Sequence, residues 1–110
     1  MAGYKHDKQK VRMDLLPHGP LTQVAEVMTY GAKKYEEYNW AYGMQYSRIY
    51  SAAQRHLFAW YQGEDEDPET ELSHLAHAIC NLLFLLQYET THPERDDRPT
   101  FLHPNLDKEL

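Results

Sequence analysis

Residues 55–81 hold most of the side chains in this sequence that could do chemistry. His56 stands near one end, His74 and His77 near the other, and Glu64, Asp65, Glu66 and Asp67 lie between them. Neutral imidazole nitrogens and ionised carboxylate oxygens are the usual protein ligands of divalent metals. His74 and His77 stand at i, i+3, so a helix points both the same way. The connection at 62–66 is short, so helices on either side of it pack antiparallel and return His56 to the same end. The candidate metal ligands are therefore His56, Glu64, Asp67, His74 and His77. Of these, Glu64, Asp67 and His77 are also the candidates for a catalytic role. Three of the five have a simpler alternative. His56 lies on the apolar side of its helix and suits a core histidine, Asp67 suits a helix N-cap, and Glu64 belongs to a charge run that water solvates.

Other residues could meet an anionic or ring-shaped ligand. Arg48 and Arg55 are seven apart, so they share one helical flank beside Ala52 and Ala59 and can reach a phosphate there. Asn81 shares the face of His74 and His77, where it orients one of them or meets a ligand. Asn39 and Trp40 lie in an aromatic segment ending at Gly43, and suit hydrogen bonding to a base and stacking on it. A loop tucked into the core by Trp40 explains them equally well. Residues 1–20 carry Lys5, Asp7, Lys10 and Arg12 with little periodicity, then Pro17, Gly19 and Pro20. They form either a solvated charged arm or an arm folded over an anionic ligand.

Several chemistries are excluded. There is no GxxxxGK[ST] or GxGxxG phosphate loop. No serine has a nucleophile-elbow context. Cys80 is the single cysteine, lies in apolar helical sequence, and reads as inert. A formal charge of -6 at pH 7 argues against a nucleic-acid backbone binder, which needs a basic face. It leaves room for a small anionic substrate held by a few clustered cations. With one cysteine no intrachain disulfide forms, which suits a reducing compartment. The first 12 residues carry no apolar signal region, and the apolar run at 82–86 is too short to span a bilayer. The expectation is a soluble cytoplasmic protein. The 110 residues set an upper bound of one domain.

The elements that must position these groups are helical. Leu21, Val24, Ala25, Met28, Ala32 and Tyr35 form a stripe at 3.6-residue spacing, and the spacing predicts a first helix from about Thr22. Gly31 interrupts it, for a close approach or as a break. Ser47 suits the N-cap of a second helix, with Ile49, Ala53, His56, Leu57 and Trp60 on one side and Gly63 just past its end. Asp67-Pro68 followed by Glu69 and Glu71 predicts the start of a third helix. On that helix Leu72, Leu75, Ala76, Ile79, Leu82, Leu83 and Leu86 form one stripe, and the far face becomes Phe84, Leu85 and Tyr88. A helix apolar on both sides is buried on both sides, which predicts an oligomer with the third helix at its centre. Beyond Thr91 the prolines exclude regular structure, and the reading is a tail, 91–110, following a domain of residues 1–90.

The order of these motifs resembles a known family. Lys5-His6-Asp7 and Lys10-Val11-Arg12-Met13-Asp14-Leu15-Leu16-Pro17 come first, then Tyr30-Gly31-Ala32-Lys33-Lys34-Tyr35, Asn39-Trp40 and Gly43. Arg55-His56, Gly63-Glu64-Asp65, Asp67-Pro68-Glu69, His74-Leu75-Ala76-His77 and Asn81 follow. Over roughly residues 4–89 this resembles the phage dATP/dGTP diphosphohydrolases, small MazG-like enzymes that include the MazZ type. The resemblance implies an all-α nucleoside triphosphate pyrophosphohydrolase fold, a bundle of about three to four helices completed by oligomerisation. It implies hydrolysis of a purine deoxynucleoside triphosphate, dGTP or dATP, to the monophosphate and pyrophosphate, which in some phages supplies dGMP for 2-aminoadenine DNA. It implies a homodimer or homotetramer working with Mg or Mn. The wider MazG pattern places ExxE on one helix and ExxD on the next. Here the second motif falls on His74 and His77, and imidazole also suits Co, Fe or Zn.

On this reading the metal and the cations Lys5, Lys10, Arg12, Lys34, Arg48 and Arg55 stabilise the charge that develops on the phosphates. Two rivals stand beside it. One is a non-catalytic helical module that binds a nucleotide or a partner. The other is an HD-type metal phosphohydrolase, whose contiguous His-Asp pair occurs only as His6-Asp7.

Overall fold

A computed structural model describes residues 10–100. Among these residues the regular structure is helical, and the backbone pairing outside helices is one isolated antiparallel bridge between Glu66 and Ser73. Three helices carry the fold: α1 (His18–Lys34), α2 (Tyr46–Tyr61) and α3 (His74–Thr91). Short 3₁₀ turns lie at Met13–Leu15, Asn39–Tyr42 and Pro93–Arg95. The all-α class is as the sequence indicates.

α2 and α3 form an antiparallel pair. His56, near the end of α2, meets His74 in the first turn of α3. At the other end the Tyr46 hydroxyl donates to the Tyr88 carbonyl at 2.9 Å, with the His92 carbonyl at 3.2 Å. α1 packs on α3 through Val24 and Val27, which are buried with Ala76 and Cys80. A second cluster joins Tyr46, Ile49 and Tyr88. Phe84 packs against both clusters and makes them one core. Tyr88 is fully buried, and its hydroxyl donates to the Trp40 carbonyl. The α1–α2 connection is thereby fastened to α3, because a buried hydroxyl without a partner would be costly.

Several element boundaries differ from the sequence expectation. α1 begins at His18, four residues before Thr22, so residues 18–20 belong to the helix and not to the arm. Pro20 is accommodated because the first-turn N–H groups have no intrahelical partner to lose. On α1 Val24 and Val27 are buried and Met28, Tyr30, Gly31 and Ala32 half-buried; Leu21, Ala25 and Tyr35 of the expected stripe are exposed. Gly31 does not break the helix, and a Cβ there would meet nothing within 4 Å. Ser47 does not cap α2. It is the second helical residue, and its N–H and hydroxyl both donate to Asp97 at 2.9 and 2.5 Å. The carboxylate that serves the start of α2 therefore comes from beyond α3. The segment after Thr91 is correspondingly not free of regular structure: Pro93–Arg95 is a 3₁₀ turn. Residues 101–110 lie outside the described residues.

The largest difference is at α3. Asp67 does act as a cap, accepting from the backbone N–H of Glu69 at 2.8 Å and of Thr70 at 3.3 Å. The turn it starts ends at once, because Glu71 adopts a left-handed φ of 61°, a conformation that no helix continues through. The chain then closes on itself. Asp67 N–H donates to the Leu72 carbonyl at 2.9 Å and His74 N–H to the Asp65 carbonyl at 2.9 Å. Only then does Ser73 cap α3, accepting from Leu75 and Ala76 N–H at 3.1 and 3.3 Å. Of the two faces of α3 expected to be buried, the single chain buries one. The aliphatic stripe Ile79, Leu82, Leu83 and Leu86 is exposed, whereas His74, Cys80 and Tyr88 are buried.

Candidate metal site and nucleotide-sized cleft

Gly63, at φ 101°, ends α2 as its position in the sequence suggests and turns the chain into the loop that carries the acids. The closed loop 65–74 fixes Asp67, and the α2–α3 pair fixes His56 and His74. One ligand-type atom from each of His56, Asp67 and His74 lies within 4.8 Å of the others. His56 Nδ1 and His74 Nδ1 are 2.9 Å apart, and His56 Nδ1 is 3.9 Å from Asp67 Oδ2.

The protons on this group follow from its partners. Glu64 Oε1 lies 2.6 Å from His74 Nε2. An ionised carboxylate only accepts, so Nε2 carries the proton and His74 Nδ1 presents a bare lone pair toward His56 and Asp67. A carboxylate behind a metal-binding imidazole is the usual outer-shell arrangement. Burial pushes the His56 imidazole below its ordinary pKa, helped by His77 and His74 and opposed by Asp67. His77 is likewise lowered by burial. Burial alone would raise Asp67, but the backbone N–H groups of Glu69 and Thr70, with His77 and His56 nearby, hold it below the ordinary carboxylate value. The lowered His56 and the lowered Asp67 favour the neutral imidazole and the ionised carboxylate that a metal requires of such ligands. The donor set fits a divalent ion. Two imidazole nitrogens each about 2.1 Å from one ion and roughly 90° apart would lie about 3 Å from each other.

His77 takes a different position. Its ring stacks on that of His56, with centroids 4.6 Å apart and planes at 8°. Its Nε2 meets the Thr70 hydroxyl at 2.8 Å.

The group opens on a cleft of about 1130 Å³ between α1, the 35–44 connection, α2 and α3. Successive turns of α3 line it with His74, His77, Asn81 and Phe84. At 1.5 Å per residue the span from His74 to Phe84 is about 15 Å. The Trp40 ring stacks on Phe84 at 5.5 Å and 13°, so an aromatic platform lies at the far end from the histidines. The polar and apolar ends are therefore separated along one helix.

Of the residues singled out from the sequence, His56, Glu64, Asp67, His74, His77, Lys34, Asn39, Trp40, Arg55 and Asn81 all line this cleft. Lys34 reaches across it to Glu69 at 2.6 Å, and that carboxylate raises the lysine's pKa. Arg55 is also held by Ser51 Oγ at 3.2 Å. Arg48, Lys10 and Arg12 do not line it, and Arg12 is occupied by a bidentate pair with Asp14. Lys5 and Asp7, with His6, lie outside the described residues. Thr70 and Phe84 were not singled out as ligand-facing. Thr70 sits in an irregular turn with no periodicity to mark it, and Phe84 reads as ordinary core from its spacing. Cys80 is buried, its thiol pushed up to about 11 by burial, as an inert cysteine should be.

Fold and site together define a small all-α protein with a group of His and Asp donors, of a kind that could hold a metal ion, at one end of a large cleft. Comparison with known proteins makes this specific. The family model described as "dATP/dGTP diphosphohydrolase, N-terminal" matches residues 1–98, and the chain belongs to that family. It is 35% identical over 98 residues to the dATP/dGTP diphosphohydrolase of Salmonella phage PMBT28, a match that covers 89% of this chain and 33% of the relative. The chain thus spans about a third of the length of that curated relative. No solved structure gives a significant match.

Proposed function

We propose that this chain carries the active site of a metal-dependent diphosphohydrolase. Its reaction is hydrolysis of a purine deoxynucleoside triphosphate, dGTP or dATP, to the monophosphate and pyrophosphate. One observation carries the reading: the His56/Asp67/His74 donor group and the Trp40–Phe84 stack line the same cleft about three turns of α3 apart. That spacing lets one nucleotide place its phosphates at the first and its base at the second. The family and the named activity of the phage relative supply the substrate class.

His56, Asp67 and His74 would hold the ion, and Glu64 would orient His74. When bound, a divalent ion supplies positive charge to phosphate oxygens and lowers the pKa of a water. Two nitrogens and one oxygen suit Mn, Co, Fe or Zn. For Mg, the remaining positions need oxygens from water and substrate phosphates, or from Glu64 and Glu69. Lys34 and Arg55 reach the cleft and would neutralise the triphosphate, with Lys5, Lys10, Arg12 and Arg48 contributing to the surrounding field. Lys34 must exchange Glu69 for a phosphate to do so. Trp40 offers its ring to the base, and Asn39 and Asn81 offer amides to base or sugar.

A second copy of the chain would cover the exposed stripe Ile79, Leu82, Leu83 and Leu86, giving a homodimer or homotetramer. No helix among the described residues is long and apolar enough to cross a membrane, and the proposed place of action is the host cytoplasm.

The test is to incubate the purified protein with dGTP or dATP and Mn or Mg and identify the products. Pyrophosphate with the monophosphate is expected. Orthophosphate with the diphosphate would overturn the reading, as would turnover that survives the pair His56→Ala and His74→Ala. Sedimentation of wild type against Leu83→Glu tests the oligomer.

A further inference from the structure

The three histidines of the site do not have equivalent surroundings, and the difference lies in Thr70. Its hydroxyl accepts from Leu72 N–H at 3.2 Å and lies 2.8 Å from His77 Nε2. Its backbone N–H is tied to Asp67 Oδ1 at 3.3 Å, so the side chain's origin is fixed by the same turn that fixes the proposed metal ligand. A hydroxyl has one proton and two lone pairs. With Leu72 donating to it, the Thr70 proton has one acceptor among the described residues, His77 Nε2. If His77 Nε2 instead carried the proton, both hydrogen bonds would point into the oxygen and the hydroxyl proton would be left without an acceptor. His77 Nδ1 has no hydrogen-bond partner among the described residues, and it is not a buried unpaired atom. It is therefore open to the cleft that His77 lines.

We propose that Thr70 is a positioning residue: its hydroxyl donates to His77 Nε2 and fixes His77 as the Nδ1–H tautomer. His77 then faces the cleft as a hydrogen-bond donor, suited to an anionic phosphate oxygen, and is kept out of the metal ligand set. The consequence for the substrate rests on the function proposed above; the tautomer does not. The stacking of His77 on His56 fits this division. His56 turns its Nδ1 to His74 Nδ1 at 2.9 Å, while the ring stacked on it offers a proton to the cleft.

The experiment measures ring ¹⁵N shifts of His77 in metal-free protein above about pH 8, where the imidazoles are neutral. The wild type is expected to show a protonated Nδ1 and a bare Nε2. Thr70→Val is expected to lose that tautomer and Thr70→Ser to keep it. An Nε2–H ring in the wild type overturns the proposal, as does a Thr70→Val spectrum unchanged from wild type. Should Thr70→Val not fold, the wild-type and Thr70→Ser spectra still decide: Nδ1–H in both supports the assignment, and Nε2–H in either refutes it. In turnover, Thr70→Val is expected to lower kcat on dGTP about 100-fold, the lower end of what losing one donor to developing charge costs, and Thr70→Ser to restore it. If the wild type hydrolyses no dGTP, the proposed function fails while the spectra still settle the role of Thr70.

Discussion

Replacing Glu64 by glutamine isolates what the outer carboxylate contributes. Glu64 Oε1 sits 2.6 Å from His74 Nε2, and His74 is buried. Glutamine keeps the shape but is neutral, and it offers an NH₂ as readily as an oxygen. His74 can then hold its proton on Nδ1, the atom that faces His56. Losing an outer-shell partner costs about 10–100-fold in metal affinity, which is about 1.4–2.7 kcal/mol at 1.36 kcal/mol per decade. The Glu64 side chain is 53% exposed, so its pairing adds only about 0–1 kcal/mol to folding. The two effects should therefore separate: Glu64→Gln binds Mn about 10–100-fold more weakly, with a urea midpoint close to wild type. Calorimetric Mn titration and urea unfolding of both proteins check this. Unchanged Mn affinity in a folded Glu64→Gln protein would refute the orienting role. Loss of all measurable binding would place Glu64 among the direct ligands instead.

Other outcomes follow from the same geometry. Tyr46→Phe removes the donor to the Tyr88 carbonyl, which keeps the His92 N–H at 2.8 Å; about 1 kcal/mol is lost, a fall in Tm of roughly 4–8 °C by calorimetry. Cys80, 3% exposed and raised to about 11, should react with a thiol reagent in native protein only as fast as the protein opens, and rapidly in denaturant; fast native labelling would contradict its burial. His56 and His77 are held below their ordinary 6.5, so below that pH the unfolded chain takes up more protons than the folded one. Stability of the metal-free protein should be level above pH 6.5 and fall as pH drops below it, a trend that urea midpoints from about pH 5 to about pH 8 will show; a rise on acidification would refute the sign.

The sequence displays the helical class, the antiparallel α2–α3 pair and the return of His56 to His74, because apolar spacing, a short connection and Gly63 act locally. It does not display where α3 starts. Asp67-Pro68 is a sound initiation signal, and Asp67 does cap a turn, but Glu71 at φ 61° ends it. The closure of Asp67 on Leu72 and of His74 on Asp65 is non-local pairing that no propensity encodes. Ser47 misleads for a related reason: a capping signal read along the chain takes no account of Asp97, which arrives from beyond α3. Both faces of α3 read as apolar in the sequence, and in the single chain the face that carries His74 and Tyr88 is the buried one while Leu82 and Leu86 are exposed. The histidine is buried because Glu64 and His56 satisfy both its ring nitrogens.

The closed loop 65–74 bears on how such a site can change over time. Glu64, Asp67, Thr70, His74 and His77 come from fourteen consecutive positions, and only His56 is added from outside. Trp40 and Asn39 belong to a separate segment, fastened to α3 by the Tyr88 hydroxyl. The His/Asp donor group and the Trp40–Phe84 stack therefore draw on largely separate segments of the chain, and substitutions in one need not disturb the other. Under the proposed function, a lineage could exchange carboxylates for imidazoles within the hairpin while keeping its purine, or alter the base it accepts while keeping its metal.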